Sequence, residues 1–76
     1  MKIAVKYFAS MRDTMGKADE SVEISENASV SDLWSSVAES SMPENTLIAV
    51  NMEYTDAAHA LQDGDEVAFF PPVTGG

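Results

Sequence analysis

The sequence predicts an α+β domain, a small mixed sheet wrapped around one main helix. Three observations carry this. Residues 2–8 alternate strictly, with Ile3, Val5 and Tyr7 on one face and Ala4, Lys6 and Phe8 on the other. Val30, Leu33, Trp34 and Val37 then recur at the three- and four-residue spacing of a single helical face. After them come short apolar runs at residues 47–50 and 66–70, each of strand rather than helix length. A hairpin, a crossing helix and further strands, in that order, make one sheet packed on one helix.

The elements follow in turn. The first strand spans residues 2–8, its odd-numbered face inward. Residues 9–15 form a short helical turn that stops at Gly16, a residue suited to ending helices. A second strand over residues 21–24 pairs back through a loop at residues 16–20. For the main helix, Ser29 stands where an N-cap belongs and Asp32 three residues later makes a capping box with Asp in place of Glu or Gln. This helix should end near Ser40, because Pro43 cannot continue it. Trp34 is its core anchor. Residues 47–50 are a strand, Asn51 turns the chain, and residues 53–55 pair back weakly. Residues 56–61 are a compact connection, and Asp63-Gly64-Asp65 signals a tight turn before the last strand at residues 66–70.

Parity along the strands gives a functional clue. With Val67 and Phe69 toward the helix, Ala68 and Phe70 face away, and so do Phe8, Leu47 and Ala49, with Tyr54 at the edge. These side chains either tuck under loops and finish the core or form an exposed apolar patch. An acidic domain that exposes such a patch reserves it for a partner, and the reading here favours that interface.

Composition narrows the function classes. A 76-residue chain has room for a single core and buries only about 60% of its unfolded surface. It is 45% hydrophobic, enough to fold. The net charge of −9, from 13 acidic and four basic residues, repels phosphate backbones, so nucleic acid is not the expected partner. There is no cysteine, hence no disulfide, thiolate metal site or thiol nucleophile. No signal peptide or membrane span is legible, and a cytoplasmic location is expected. His59 is the only histidine and has no companion at a metal-ligand spacing, so neither a metal site nor a Ser-His-Asp set is expected. Asp63, Asp65 and Glu66 read as a solvated turn, since a calcium loop needs a longer ligand ladder. The chain is not expected to be an enzyme by itself, nor to bind a cofactor.

What remains is the ending, FFPPVTGG. Small residues at a chain end often mean only fraying. Here the composition argues otherwise. Pro71 and Pro72 favour a stiff, extended departure from the last strand, and push Phe70 to extended geometry too. The division expected is a domain over residues 1–70 and a flexible tail over residues 71–76. Six residues reach at most about 20 Å, which is enough for Val73 and Thr74 to carry Gly75 and Gly76 into a partner's pocket. Lacking side chains, the two glycines fit a narrow channel and leave the terminal carbonyl open to attack. A carboxylate is a poor electrophile. To transfer anything, that of Gly76 must first be activated, for example as an acyl-adenylate made by a separate ATP-using enzyme.

The strand–strand–helix–strand order resembles the β-grasp fold of ubiquitin and its prokaryotic relatives. The stretch DGDEVAFFPPVTGG, residues 63–76, closely resembles the C-terminal signature of the small, sulfur-carrying subunits of molybdopterin synthase. KIAVKYFASMRD, SVSDLW and IAVN extend the likeness more loosely over most of the chain. The resemblance implies that an E1-like enzyme adenylates Gly76 and that a sulfur donor converts it to a thiocarboxylate. The tail then delivers sulfur, inside the large synthase subunit, to the cyclic pyranopterin monophosphate precursor of molybdopterin. It also implies a heterotetramer with two small subunits at the ends of a large-subunit dimer. Phe8, Tyr54 and Phe70, with Pro71, Pro72, Val73 and Thr74 of the tail, fall where the family contacts that subunit. Tyr54 departs from the aliphatic residue common there. Related carriers for thiamine or cysteine synthesis share Gly-Gly but lack the FFPPVTGG approach. A ubiquitin-like modifier that forms isopeptide bonds, or a binding module with an inert tail, are the readings from other classes.

Overall fold

The computed structural model describes residues 1–71. The elements are β1 (Lys2–Tyr7), α1 (Ser10–Met15), β2 (Asp19–Glu23), α2 (Val30–Val37), β3 (Leu47–Val50), β4 (Glu53–Thr55) and β5 (Glu66–Phe70). The five strands form one mixed sheet in the order β2-β1-β5-β3-β4. β5 runs parallel to β1 at the centre, and the other three pairings are antiparallel. This is the β-grasp architecture, with α2 on one face of the sheet and the other face open.

The alternation read in β1 decides which face is covered. Ile3, Val5 and Tyr7 are buried, and Val67 and Phe69 of β5 join them in register, Val5 opposite Val67 and Tyr7 opposite Phe69. From above, α2 contributes Val30, Leu33 and Trp34. Phe69 is the centre of this core. Its ring stacks on Tyr7 at 6.1 Å and meets Trp34 edge-on at 5.1 Å. Burying a side chain of this size stabilises the fold by about 1.5–3 kcal/mol. The core anchor read in Trp34 is confirmed, and its indole N–H donates to the Ser40 carbonyl.

The capping box is present in full. The Asp32 amide donates to Ser29 Oγ at 3.2 Å, and Asp32 Oδ2 accepts from the Ser29 amide at 2.9 Å. α2 stops at Val37, short of the expected Ser40. Ala38 adopts extended backbone (φ −124°, ψ 149°), and this brings Ser40 back under the Trp34 indole. Gly16 ends α1 with left-handed geometry, φ 75°, and its amide donates to the Arg12 carbonyl.

β2 begins at Asp19, two residues before the expected start, and ends one residue early at Glu23. The sequence reading leaves Glu20 in the loop at residues 16–20, whereas the structure sets it opposite Val5. The structure accommodates it by hydrogen bonding. Tyr7 Oη donates to Glu20 Oε2 at 2.6 Å, and Lys17 Nζ lies 3.5 Å from the other oxygen. The turn at residues 63–65 is more than a solvated loop. Asp63 accepts from the Lys2 amide, while Asp65 accepts from the Gln62 amide and the Asn51 side chain. Asn51 Oδ1 accepts in turn from the Glu66 amide, so one asparagine ties the β3–β4 turn to the start of β5.

Candidate functional site

The open face of the sheet carries the candidate site. Side chains alternate across a strand, so the residues between the core positions all emerge here: Lys6 and Phe8 along β1, Glu66, Ala68 and Phe70 along β5, Leu47 and Ala49 along β3. The strand register then sets the neighbours. Phe70 pairs with Leu47, Ala68 with Ala49 and Lys6, and Ala49 with Tyr54. Ala49 and Ala68 are buried between larger neighbours, and the rings stand above them.

Phe8 and Phe70 form a parallel stack, their centroids 4.6 Å apart and their planes 7° apart. Tyr54 leans on Phe70 from the other side, at 6.3 Å and 58°. Phe8 is 42% exposed and Tyr54 73%. The parity argument is therefore met in the structure. Neither Phe8 nor Tyr54 tucks under a loop, and with half-buried Phe70 they form one continuous aromatic surface. The backbone holds it in place, because the Phe8 amide donates to the Phe69 carbonyl at 3.2 Å and Phe8 O accepts from the amide of buried Met11.

The patch sits where β5 runs out into Pro71. Pro71 is the last described residue. The expected tail residues Pro72, Val73, Thr74, Gly75 and Gly76 lie outside the described residues.

Elsewhere the chemistry is sparse. His59 is exposed, with Nδ1 3.3 Å from Thr55 Oγ1. A shallow cleft of about 430 Å³ beside Trp34 is lined by Ser31, Ser35, Glu39, Ser40 and Met42. It collects hydroxyls around one carboxylate, with no histidine or lysine to act as a base. Among the described residues, no group of three or more His, Asp or Glu is arranged to hold a metal, and no helix is long and apolar enough to cross a membrane. Among the described residues, Tyr7 is the one group whose acidity is strongly altered. Burial, then the hydrogen bond to Glu20 and that residue's charge, push its phenol well above the usual range. It is a structural tyrosine, enclosed in the core.

Sequence reasoning missed the ionic part of this face. Lys6 Nζ lies 3.4 Å from Glu66 Oε1, directly below the aromatic stack. Strand parity places Lys6 outward, but Glu66 reads with Asp63 and Asp65 as part of a solvated turn. The pairing of Lys6 with Glu66 depended on the β1–β5 register, which sets Ala4 beside Glu66 and Lys6 beside Ala68.

A five-stranded β-grasp sheet packed on one helix, with an aromatic open face beside the strand that leads into Pro71, defines a ubiquitin-like protein. The comparisons specify the family. The chain belongs to the ThiS family, whose model matches residues 5–76. It is 38% identical over 85 residues to the molybdopterin synthase sulfur carrier subunit of Escherichia coli, covering 97% of this chain and 99% of the relative. The protein of the same name from Chlamydomonas reinhardtii is 36% identical over 83 residues and is covered in full, as is this chain. Among solved structures, the putative molybdopterin converting factor subunit 1 of Pyrococcus furiosus superposes with a TM-score of 0.81 at 36% identity. That match covers 96% of this chain and 99% of the other.

Proposed function

We propose that this protein is the sulfur-carrier subunit of a molybdopterin synthase, with Gly76 as the group that is loaded. The observation that carries this reading is the placement of Phe70. It lies on the open aromatic face, in the strand that leads straight into Pro71 and the Gly75-Gly76 ending. Docking through Phe8, Tyr54 and Phe70 therefore fixes where the tail starts on the partner. The relatives named as sulfur carrier subunits, matched nearly end to end, support the same reading.

The chemistry follows from the carboxylate. It attacks the α-phosphate of ATP on an E1-like enzyme, releasing pyrophosphate and leaving an acyl-adenylate. A sulfur nucleophile displaces AMP and leaves a thiocarboxylate. In the large subunit this sulfur is given up to the pyranopterin precursor, and water restores the carboxylate. Pro71, Pro72, Val73 and Thr74 supply stiffness and reach; Gly75 keeps the approach slim. This chain contributes the docking face and the carried sulfur, while the large subunit holds the substrate. The assembly is a cytoplasmic heterotetramer with two carriers flanking a large-subunit dimer, and the carrier itself binds no cofactor.

The test is an intact mass after incubation with the activating enzyme, ATP and sulfide. Replacement of one oxygen by sulfur supports the reading, and an unchanged mass sinks it. Isopeptide adducts on lysines in place of the thiocarboxylate would favour the ubiquitin-like modifier. Adding the large subunit and the precursor, then assaying molybdopterin, places the carrier in its pathway.

A further inference from the structure

We infer that the Lys6–Glu66 pair sets the specificity of the docking face. This inference rests on the reading that the open face docks the large synthase subunit. The chain holds only four cations, Lys2, Lys6, Arg12 and Lys17. One of them, Lys6, stands on β1 immediately below the aromatic stack, and its carboxylate partner projects from β5, the central strand. Glu66 has small neighbours on this face, Ala4 across from it and Ala68 two residues on, and its side chain is 42% exposed among the described residues. Both side chains are about half exposed in the free protein, 47% and 42%, and are hydrated there.

A partner that covers Phe8 and Phe70 also covers much of this pair, since successive outward positions on a strand are only about 7 Å apart. Docking then strips water from two charges at once. Their mutual contact is an ion pair at 3.4 Å, leaving ammonium hydrogens and most of the carboxylate's acceptor capacity to be met from outside. Asp19, in register with Lys6 on β2, adds a second carboxylate at the rim, so the cluster is net negative. A partner surface that is apolar throughout leaves these groups unsatisfied and is rejected. The surface that fits places a hydrogen-bond donor, best a guanidinium, against Glu66, and an acceptor against Lys6.

The pair therefore acts as a unit, and removing either half exposes the other to burial alone. The experiment is calorimetric binding of the cognate large subunit to the full chain and to four variants: Lys6→Ala, Glu66→Ala, Lys6→Ala/Glu66→Ala and Phe70→Ala. Thermal melts of each variant accompany it, and a half-exposed ion pair leaves them nearly unmoved. Each single ionic change is expected to weaken binding by about tenfold or more, and the double change by clearly less than the product of the two. Two results overturn the inference while leaving the docking reading intact, provided that Phe70→Ala weakens binding. One is that both single variants bind within twofold of the unsubstituted protein. The other is that one single variant binds within twofold of the unsubstituted protein while the other accounts for the whole loss of the double. If Phe70→Ala also binds normally, the docking reading itself falls and this inference with it.

Discussion

Phe8 and Phe70, near opposite ends of the chain, lie ring on ring 4.6 Å apart on the face of the sheet that no helix covers. The parallel pairing of β1 with β5 puts them there, continuing the register that sets Tyr7 opposite Phe69 on the other side. The same two strands thus supply adjacent aromatic pairs to opposite faces. Tyr7 and Phe69 close the core, and Phe8 and Phe70 are left facing solvent.

This division separates stability from binding. Phe70→Ala removes a half-buried ring flanked by Phe8 and Tyr54, the centre of the patch. Aromatic anchors of this kind carry about 2 kcal/mol or more of binding, roughly thirtyfold in Kd. Calorimetry against the large subunit should show that loss, with the domain still folded in a thermal melt. An unchanged Kd would make the stack a decoration of the sheet.

Tyr7 offers a test of the opposite face. Tyr7→Phe keeps the ring in the core and removes the bond to Glu20, at a cost of about 1 kcal/mol in urea unfolding. It should also change the alkaline limb. The folded phenol is held protonated by burial and by Glu20, so its pKa is raised relative to the unfolded chain. Its contribution is fully present below the unfolded value of about 10 and is lost as pH rises from there toward the folded value. Unfolding followed from pH 9 upward should show a steeper loss for the unsubstituted protein than for Tyr7→Phe. Tyr54 is common to both and cancels in the difference. Parallel curves would mean that the phenol ionises equally in both states.

The fold was legible wherever a periodic pattern coincided with a chemical stop signal. Ser29 and Asp32 marked the start of α2, Gly16 the end of α1, and the alternation of Ile3, Val5 and Tyr7 the buried face of β1. The end of α2 was not legible. Ala38 and Glu39 are good helix formers, and the end of the helix coincides with a side-chain bond that no periodicity marks, the Trp34 indole donating to the Ser40 carbonyl six residues on. The early start of β2 was hidden for a similar reason, since Glu20 is satisfied there by Tyr7 from the neighbouring strand and by Lys17. Parity identified Phe8, Phe70 and Tyr54 on the open face. It could not bring Lys6 to Glu66, because strand register is a tertiary property.

The capping box gives a local test. Ser29→Ala leaves the Asp32 amide without its side-chain acceptor at the head of α2. The loss should be about 1 kcal/mol, a fall of about 4–8 °C in Tm for a domain of this size. Ser29→Asn, which caps as well as serine, should recover most of it. Equal losses in the two variants would show that the cap oxygen is not what matters.

Ala9 holds a strained backbone position beside the Phe8 end of the patch. It turns the chain from Phe8, on the open face, toward Met11 in the core, with φ 51° and ψ −127° and with the Met11 amide bonded to the Phe8 carbonyl. A residue with a Cβ pays on the order of 1–3 kcal/mol for such geometry, whereas glycine adopts it freely. Ala9→Gly gives back part of the gain, about 0.4–1 kcal/mol, through the more flexible unfolded chain. The balance is a net stabilisation of about 1 kcal/mol, read as a rise of several degrees in Tm. A fall in Tm would mean that contacts of the Ala9 methyl outweigh the strain. A rise accompanied by weaker large-subunit binding would show that the stiffness of this turn is what keeps the Phe8 ring flat against Phe70.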